Sequence, residues 1–179
     1  GKEHITAAMV VTDGIKLRPA DYRTFKMRTI STPDDYAAMR EVISRRVAHI
    51  GDGSPSLGEK PDLILLDGGV GQVSVVKDTL ATLGVEIPVF GMVKDDYHKT
   101  RALCTDTEEI SIDREQEIFS LIYRIQEEVH RFSVKRMSDA KRETLRTSSL
   151  EKIPGVGRAK AKNLLAHFGG LAAVRAADV

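Results

Sequence analysis

Four groups of residues in this sequence have types and spacings suited to chemistry. Asp67 closes the apolar run Leu63-Ile-Leu-Leu66 and is followed at once by Gly68-Gly69. A short unbroken apolar run ended by glycine reads as a strand buried on both faces. That puts Asp67 at the carboxyl end of the strand, where open α/β sheets hold their ligands. The same carboxylate also suits a plain turn or helix entry. His130 lies in Ile125-Gln-Glu-Glu-Val-His130, and helical spacing puts it on the side of Tyr123 and Gln126. With Asp67 as a neighbour it is a candidate metal ligand or proton shuttle; alone it suits a hydrogen-bonding group at the edge of a core. Asp34-Asp35 is a paired carboxylate at a helix start, a place that attracts acids for dipole reasons alone. Gly68-Gly-Val-Gly71 resembles a phosphate loop, but it lacks the Walker Lys-Ser/Thr and the full dinucleotide spacing.

A fifth group binds rather than reacts. In Ile153-Pro-Gly-Val-Gly157 the glycines, Gly155 and Gly157, let the backbone approach a phosphate. The next helix start offers unpaired N–H donors there. Arg158, Lys160 and Lys162 add positive charge at the same spot. Such contacts position a nucleic acid without reading its sequence. The net charge of the chain is only +1, yet residues 131–162 hold ten Lys/Arg against three Asp/Glu. That excess is too one-signed for i,i+4 pairing, and it points to a polyanion docking at one end.

The elements that must position these groups follow from pattern. His4–Val11, a turn at Asp13-Gly14, Ile15–Arg18 and Tyr22–Ile30 read as an antiparallel meander. Thr32-Pro33-Asp34-Asp35 opens a helix to about His49, with Tyr36, Met39, Val42, Ile43 and Val47 on one face. Residues 51–61 form a loop. After the Asp67 strand come a helix over 70–83, a second parallel strand over 87–93 and a polar loop over 94–101. Leu103–Thr105 and Ile110–Ile112 then form a small hairpin. A long helix starts near Arg114 and carries Ile118, Leu121, Ile122, Ile125 and Val129. Ser148-Ser-Leu-Glu151 has capping-box spacing and predicts the start of a separate helix–hairpin–helix unit. The border falls at about Arg146, giving domains of 1–146 and 147–179.

With 179 residues, 41% hydrophobic and 30% charged, the chain holds one sizeable core and an appendage. No run reads as a membrane span or signal peptide. The single cysteine, Cys104, excludes an internal disulfide and a thiolate zinc site, and it suits a reducing compartment.

Several motifs then occur in fixed order: Asp21-Tyr-Arg-Thr-Phe25, Pro33-Asp-Asp-Tyr-Ala-Ala-Met-Arg-Glu-Val42, Arg45-Arg46, Asp62-Leu-Ile-Leu-Leu-Asp-Gly-Gly-Val-Gly-Gln72, Lys94-Asp-Asp-Tyr-His98, Glu127-Glu-Val-His-Arg-Phe132 and Ser148-Ser-Leu-Glu-Lys-Ile-Pro-Gly-Val-Gly157. Together they resemble the C-terminal half of UvrC, the nuclease subunit of bacterial nucleotide excision repair, over essentially the whole chain. The resemblance implies an α/β, ribonuclease-H-like mixed sheet flanked by helices, followed by a small all-α helix–hairpin–helix unit. It implies metal-dependent cleavage on the 5′ side of a lesion, in the cytoplasm of a bacterium. The family's catalytic residues fall on Asp67, His130 and Asp35, with Asp67 holding Mg²⁺ or Mn²⁺. His130 then either coordinates or moves a proton. DNA, duplex or bubble, is the implied partner. UvrB, and UvrA indirectly, join it for the full-length protein, and no membrane is involved.

Three departures qualify what the resemblance implies. The family's first catalytic Asp lies upstream of Gly1, and Glu3, the nearest acid, does not match its motif. Val179 stops before a second hairpin, and Val70 stands where the family commonly has Lys. The family's GIY-YIG nuclease and UvrB-binding segment also precede this stretch. The expectation is therefore a nuclease piece inactive by itself. Its alternatives are a non-catalytic structure-specific DNA-binding module and, third, a nucleotide-binding protein using the glycine loop.

Overall fold

The computed structural model describes residues 6–29, 34–97 and 99–177. Glu3, His4, Ile5, Thr32, Pro33 and His98, all named among the sequence motifs and segments, lie outside these. The chain divides into two compact units, residues 1–132 and 133–179.

In the first unit, β1 (Thr6–Met9) pairs antiparallel with β4 (Arg23–Lys26), Thr6 opposite Lys26. Between them, β2 (Thr12–Asp13) and β3 (Lys16–Leu17) form a two-residue ladder around the Gly14 turn, where φ is 53°. The expected meander is therefore two short ladders among the described residues, and the strand expected over 22–30 already ends at Lys26.

The main sheet has the order β5-β6-β7-β8: β5 (Ile64–Leu66), β6 (Val89–Lys94), β7 (Thr100–Cys104) and β8 (Glu109–Ser111). β5 and β6 are parallel, with Leu65 opposite Phe90; β6–β7 and β7–β8 are antiparallel. This mixed sheet with flanking helices is the expected α/β class. α1 (Asp35–Val47) and α2 (Val70–Thr82) pack on one face. That core holds Ile43, Leu66, Val73, Val76, Leu80, Ile87, Val89 and Cys104. The other face meets α3 (Gln116–Glu151) through Met92, Ile112, Ile122 and Ile125, with Leu65 and Leu103 alongside.

Period-two alternation explains the split, since Ile64 and Leu66 face α1 and α2 while Leu65 faces α3. Both faces of β5 are covered, as its unbroken apolar run predicts. Leu63, the first residue of that run, lies outside the strand and is 44% exposed. Continued one residue on, the same alternation directs Asp67 toward the α3 face.

α3 corrects one expectation. Ser148-Ser-Leu-Glu151 starts no helix, because α3 runs through it to Glu151. No Gly or Pro occurs from Gln116 to Glu151, and the first breaker is Pro154. The division of the chain falls within α3, as does Arg146. In the second unit, α3 is followed by the 153–157 turn, α4 (Arg158–Phe168) and α5 (Leu171–Ala176).

Candidate functional site

Asp67 sits just past the end of β5, on a turn that two close approaches fix. A Cβ on Gly91 of β6 would fall 2.6 Å from Cys104 Sγ and closer still to the carbonyl oxygen of Gly68. The turn therefore crosses β6 where there is no side chain. At the start of α2, the Tyr36 hydroxyl would lie 2.6 Å from a Cβ on Gly71. That contact brings the first turn of α1 against the first turn of α2. Gln72 folds back so that its Oε1 accepts from the Gly69 N–H at 3.0 Å. A phosphate loop would need that donor free, which argues against the nucleotide-binding alternative.

The Asp67 carboxylate has two partners. Lys94 Nζ, at the end of β6, lies 2.8 Å from Oδ1 and 3.0 Å from Oδ2. Gln126 Nε2, from α3, donates to Oδ1 at 3.0 Å and to the Met92 carbonyl oxygen at 3.2 Å. Gln126 Oε1 in turn accepts a short hydrogen bond from the Thr100 hydroxyl of β7. Gln126 is 2% exposed and Thr100 6%, whereas the Asp67 and Lys94 side chains keep 30% and 28% of their exposure. The result is a carboxylate anchored from the core side by Gln126, part-exposed, and paired with the Lys94 ammonium. Sequence reasoning singled out neither Lys94 nor Thr100 as site residues. Gln126 was visible only as a residue sharing the His130 side of α3.

His130 lies one helical turn beyond Gln126, about 6 Å along the axis. Its side chain is exposed. The backbone around it is held on the opposite side of that turn. Glu128 takes a bidentate ion pair from Arg131 at 2.6 and 2.7 Å, which keeps its carboxyl below the usual range. Tyr22 meets the Phe132 ring edge-on, with centroids 5.3 Å apart. Burial, with the Glu128 carboxylate beside it, pushes the Tyr22 hydroxyl up to about 12.

Asp34 caps α1, its Oδ1 accepting from the Ala37 N–H at 2.9 Å. Asp35 follows as the first helical residue, exposed. Among the described residues no hydrogen bond or ion pair joins Asp35 to Asp67. Nor do three or more His, Cys, Asp or Glu lie close enough to hold one ion. The donor set still fits a hard divalent cation. Mg²⁺ commonly binds through one or two carboxylates, with water and substrate phosphate completing its shell. Asp67 offers such an oxygen, already held and already opposite a cation.

In the second unit, Gly155 has φ 83° and Gly157 is the N-cap of α4. A Cβ on either would meet nothing within 4 Å, so the turn is open to approach. Arg158, Lys160 and Lys162 are exposed. Lys160 Nζ donates to the Gly155 carbonyl oxygen at 3.0 Å and steadies the turn. No described helix is long and apolar enough to cross a membrane.

Residues 1–134 match the family described as "UvrC RNAse H endonuclease domain". The chain is similar to the UvrABC system protein C of Alkaliphilus oremlandii, 41% identical over 96% of this chain and 30% of that protein. The Lachnospira eligens protein of the same name is 41% identical over 100% of this chain and 30% of its own length. That of Clostridium perfringens strain SM101 is 38% identical over 96% and 30%. The chain thus spans about 30% of the length of these relatives.

Proposed function

The chain belongs to the UvrC RNase H endonuclease domain family, and on that premise we propose that it is the part of a DNA-repair nuclease that hydrolyses a phosphodiester on the 5′ side of a lesion. The observation that supports this best is the Asp67 carboxylate, held by Gln126 just past the end of β5, part-exposed and paired with Lys94. A bound Mg²⁺ or Mn²⁺ would polarise the phosphate and raise the local supply of hydroxide.

The chain's own residues do the rest. Asp67 supplies the oxygen ligand. Lys94 fills the cation position until a divalent ion takes it. An ion pair this exposed contributes about 1 kcal/mol or less, so displacing the ammonium costs little, and Lys94 is then free to meet a phosphate oxygen. His130 either completes the ligand set or carries a proton to the leaving oxygen. Asp35, at the end of α1 that touches α2, is the further carboxylate of the site. Gly155, Gly157, Arg158, Lys160 and Lys162 hold duplex or bubble DNA by its phosphates. UvrB, with UvrA behind it, is the partner of the full-length protein in the bacterial cytoplasm.

The test is nicking of bubble-containing duplex with Mg²⁺ or Mn²⁺. This chain is run beside a version extended upstream through the Asp-bearing strand, and beside that version with Asp67→Ala. Cutting by the extended wild type alone supports the assignment. Equal cutting by the Asp67→Ala version refutes it. The open, basic turn at 155–162 favours a second reading, a DNA-binding module that does not cut. Binding by all three chains with cutting by none would favour that one.

A further inference from the structure

We propose that Gln126 is the positioning residue of this site: its amide, locked by Thr100 and the Met92 carbonyl, fixes the Asp67 carboxylate in the orientation that receives a divalent cation. This rests on the reading of Asp67 as a metal-holding carboxylate and extends it to residues that reading does not contain.

Hydrogen-bond capacity decides the orientation of this amide. A glutamine amide has two N–H donors and one carbonyl oxygen. Here both donors are used, on Asp67 Oδ1 at 3.0 Å and on the Met92 carbonyl at 3.2 Å. The oxygen is taken by the Thr100 hydroxyl. Exchanging the amide's oxygen and nitrogen would set Oε1 against two acceptors, Asp67 Oδ1 and Met92 O, in a place 2% exposed. Buried acceptors facing one another without a proton are costly. The network therefore admits one orientation, with a donor aimed at the carboxylate.

The anchor points come from three elements, β6, β7 and α3, so no single loop movement releases it. Gln126 ties Oδ1 from the core side, and the Lys94 ammonium spans both carboxylate oxygens, at 2.8 Å from Oδ1 and 3.0 Å from Oδ2. Hydrogen-bonded partners behind a ligating carboxylate are worth about 10–100-fold in metal affinity.

The experiment is a Mn²⁺ titration of the full 179-residue chain, following loss of the free-ion electron paramagnetic resonance signal, with a thermal melt on each variant. Asp67→Asn is the reference and should abolish binding. Gln126→Met keeps bulk and loses every hydrogen bond; binding should weaken about 10–100-fold in the folded protein. Thr100→Val should weaken it in the same direction but less, and Thr100→Ser should restore it. That rescue is what a purely structural role would not produce. If Gln126→Met fails to fold, the Thr100 pair decides by itself. Wild-type affinity in folded Thr100→Val or Gln126→Met, with Asp67→Asn dead, would overturn the inference and leave the Asp67 reading standing. Wild-type affinity in Asp67→Asn would overturn both.

Discussion

Replacing Gly91 by alanine tests how tightly the Asp67 turn is set. The added methyl would lie 2.6 Å from Cys104 Sγ, 3.1 Å from Val73 Cγ2, and closer than either to the Gly68 carbonyl oxygen. Overpacking a filled core costs about 1–3 kcal/mol. The nearest atom here is backbone, which no rotamer change removes, so the upper end, about 3 kcal/mol, is expected. With a urea slope of about 2 kcal/mol per molar, the midpoint should fall by about 1.5 M. The chain has no Trp, and its four Tyr (22, 36, 97 and 123) all lie in the first unit. Tyrosine emission therefore follows that unit. Gly91→Ala with Cys104→Ala should recover part of the loss and no more, since removing the sulfur leaves the carbonyl contact. A favourable coupling of about 0.5–1.5 kcal/mol is expected from the double-mutant cycle. A Gly91→Ala midpoint within about 0.25 M of wild type would refute the close approach, as would a cycle with no coupling.

Lys94→Met should tighten Mn²⁺ binding up to about fivefold, because an ion pair contributing at most about 1 kcal/mol no longer has to be displaced; a manganese titration reads it. Glu41 accepts from the Arg28 N–H, from Thr29 N–H and hydroxyl, and from Arg45, and the Thr29 hydroxyl first among these holds its carboxyl at about 2. A carboxyl depressed in the folded state stabilises above its ordinary value of 4.5 and loses that contribution as pH falls through about 2. Melts of Glu41→Gln and wild type between pH 6 and 2 should therefore converge toward acid. Alanine at Arg158, Lys160 and Lys162 together should weaken DNA binding and lower its logarithmic salt slope by about 0.9 for each phosphate no longer neutralised. Fluorescence anisotropy at several salt concentrations measures this, and Mn²⁺ binding should be unaffected.

Local pattern made much of this architecture legible. An apolar run ended by an acid and two glycines placed Asp67 beyond a strand covered on both faces. Helical spacing marked the apolar face of α3, and the Pro-Gly-Val-Gly turn stood out by composition. What stayed hidden was the company Asp67 keeps. Lys94 is 27 residues away and Gln126 is 59, and no local rule pairs residues at such distances. Gln126 is polar and looks like a surface residue of an amphipathic helix. Only a tertiary acceptor or donor for each of its polar atoms lets it be buried. The Ser148-to-Glu151 spacing misled for the opposite reason. A capping box marks a helix start only where the preceding residues cannot be helical, and residues 133–147 can.

Those separations also bear on the order in which the native structure is completed. β6 and β7 are joined by a tight turn, Asp95 N–H to Lys99 O at 2.8 Å, and close almost no loop. Joining Asp67 to Gln126 closes 59 residues rather than the 27 to Lys94, about 0.7 kcal/mol more in loop entropy. On that count the Gln126 anchor is expected to form after the β6–β7 hairpin and after the pairing of Asp67 with Lys94. Manganese capture, followed in time during refolding, should lag behind strand formation and report the arrival of α3.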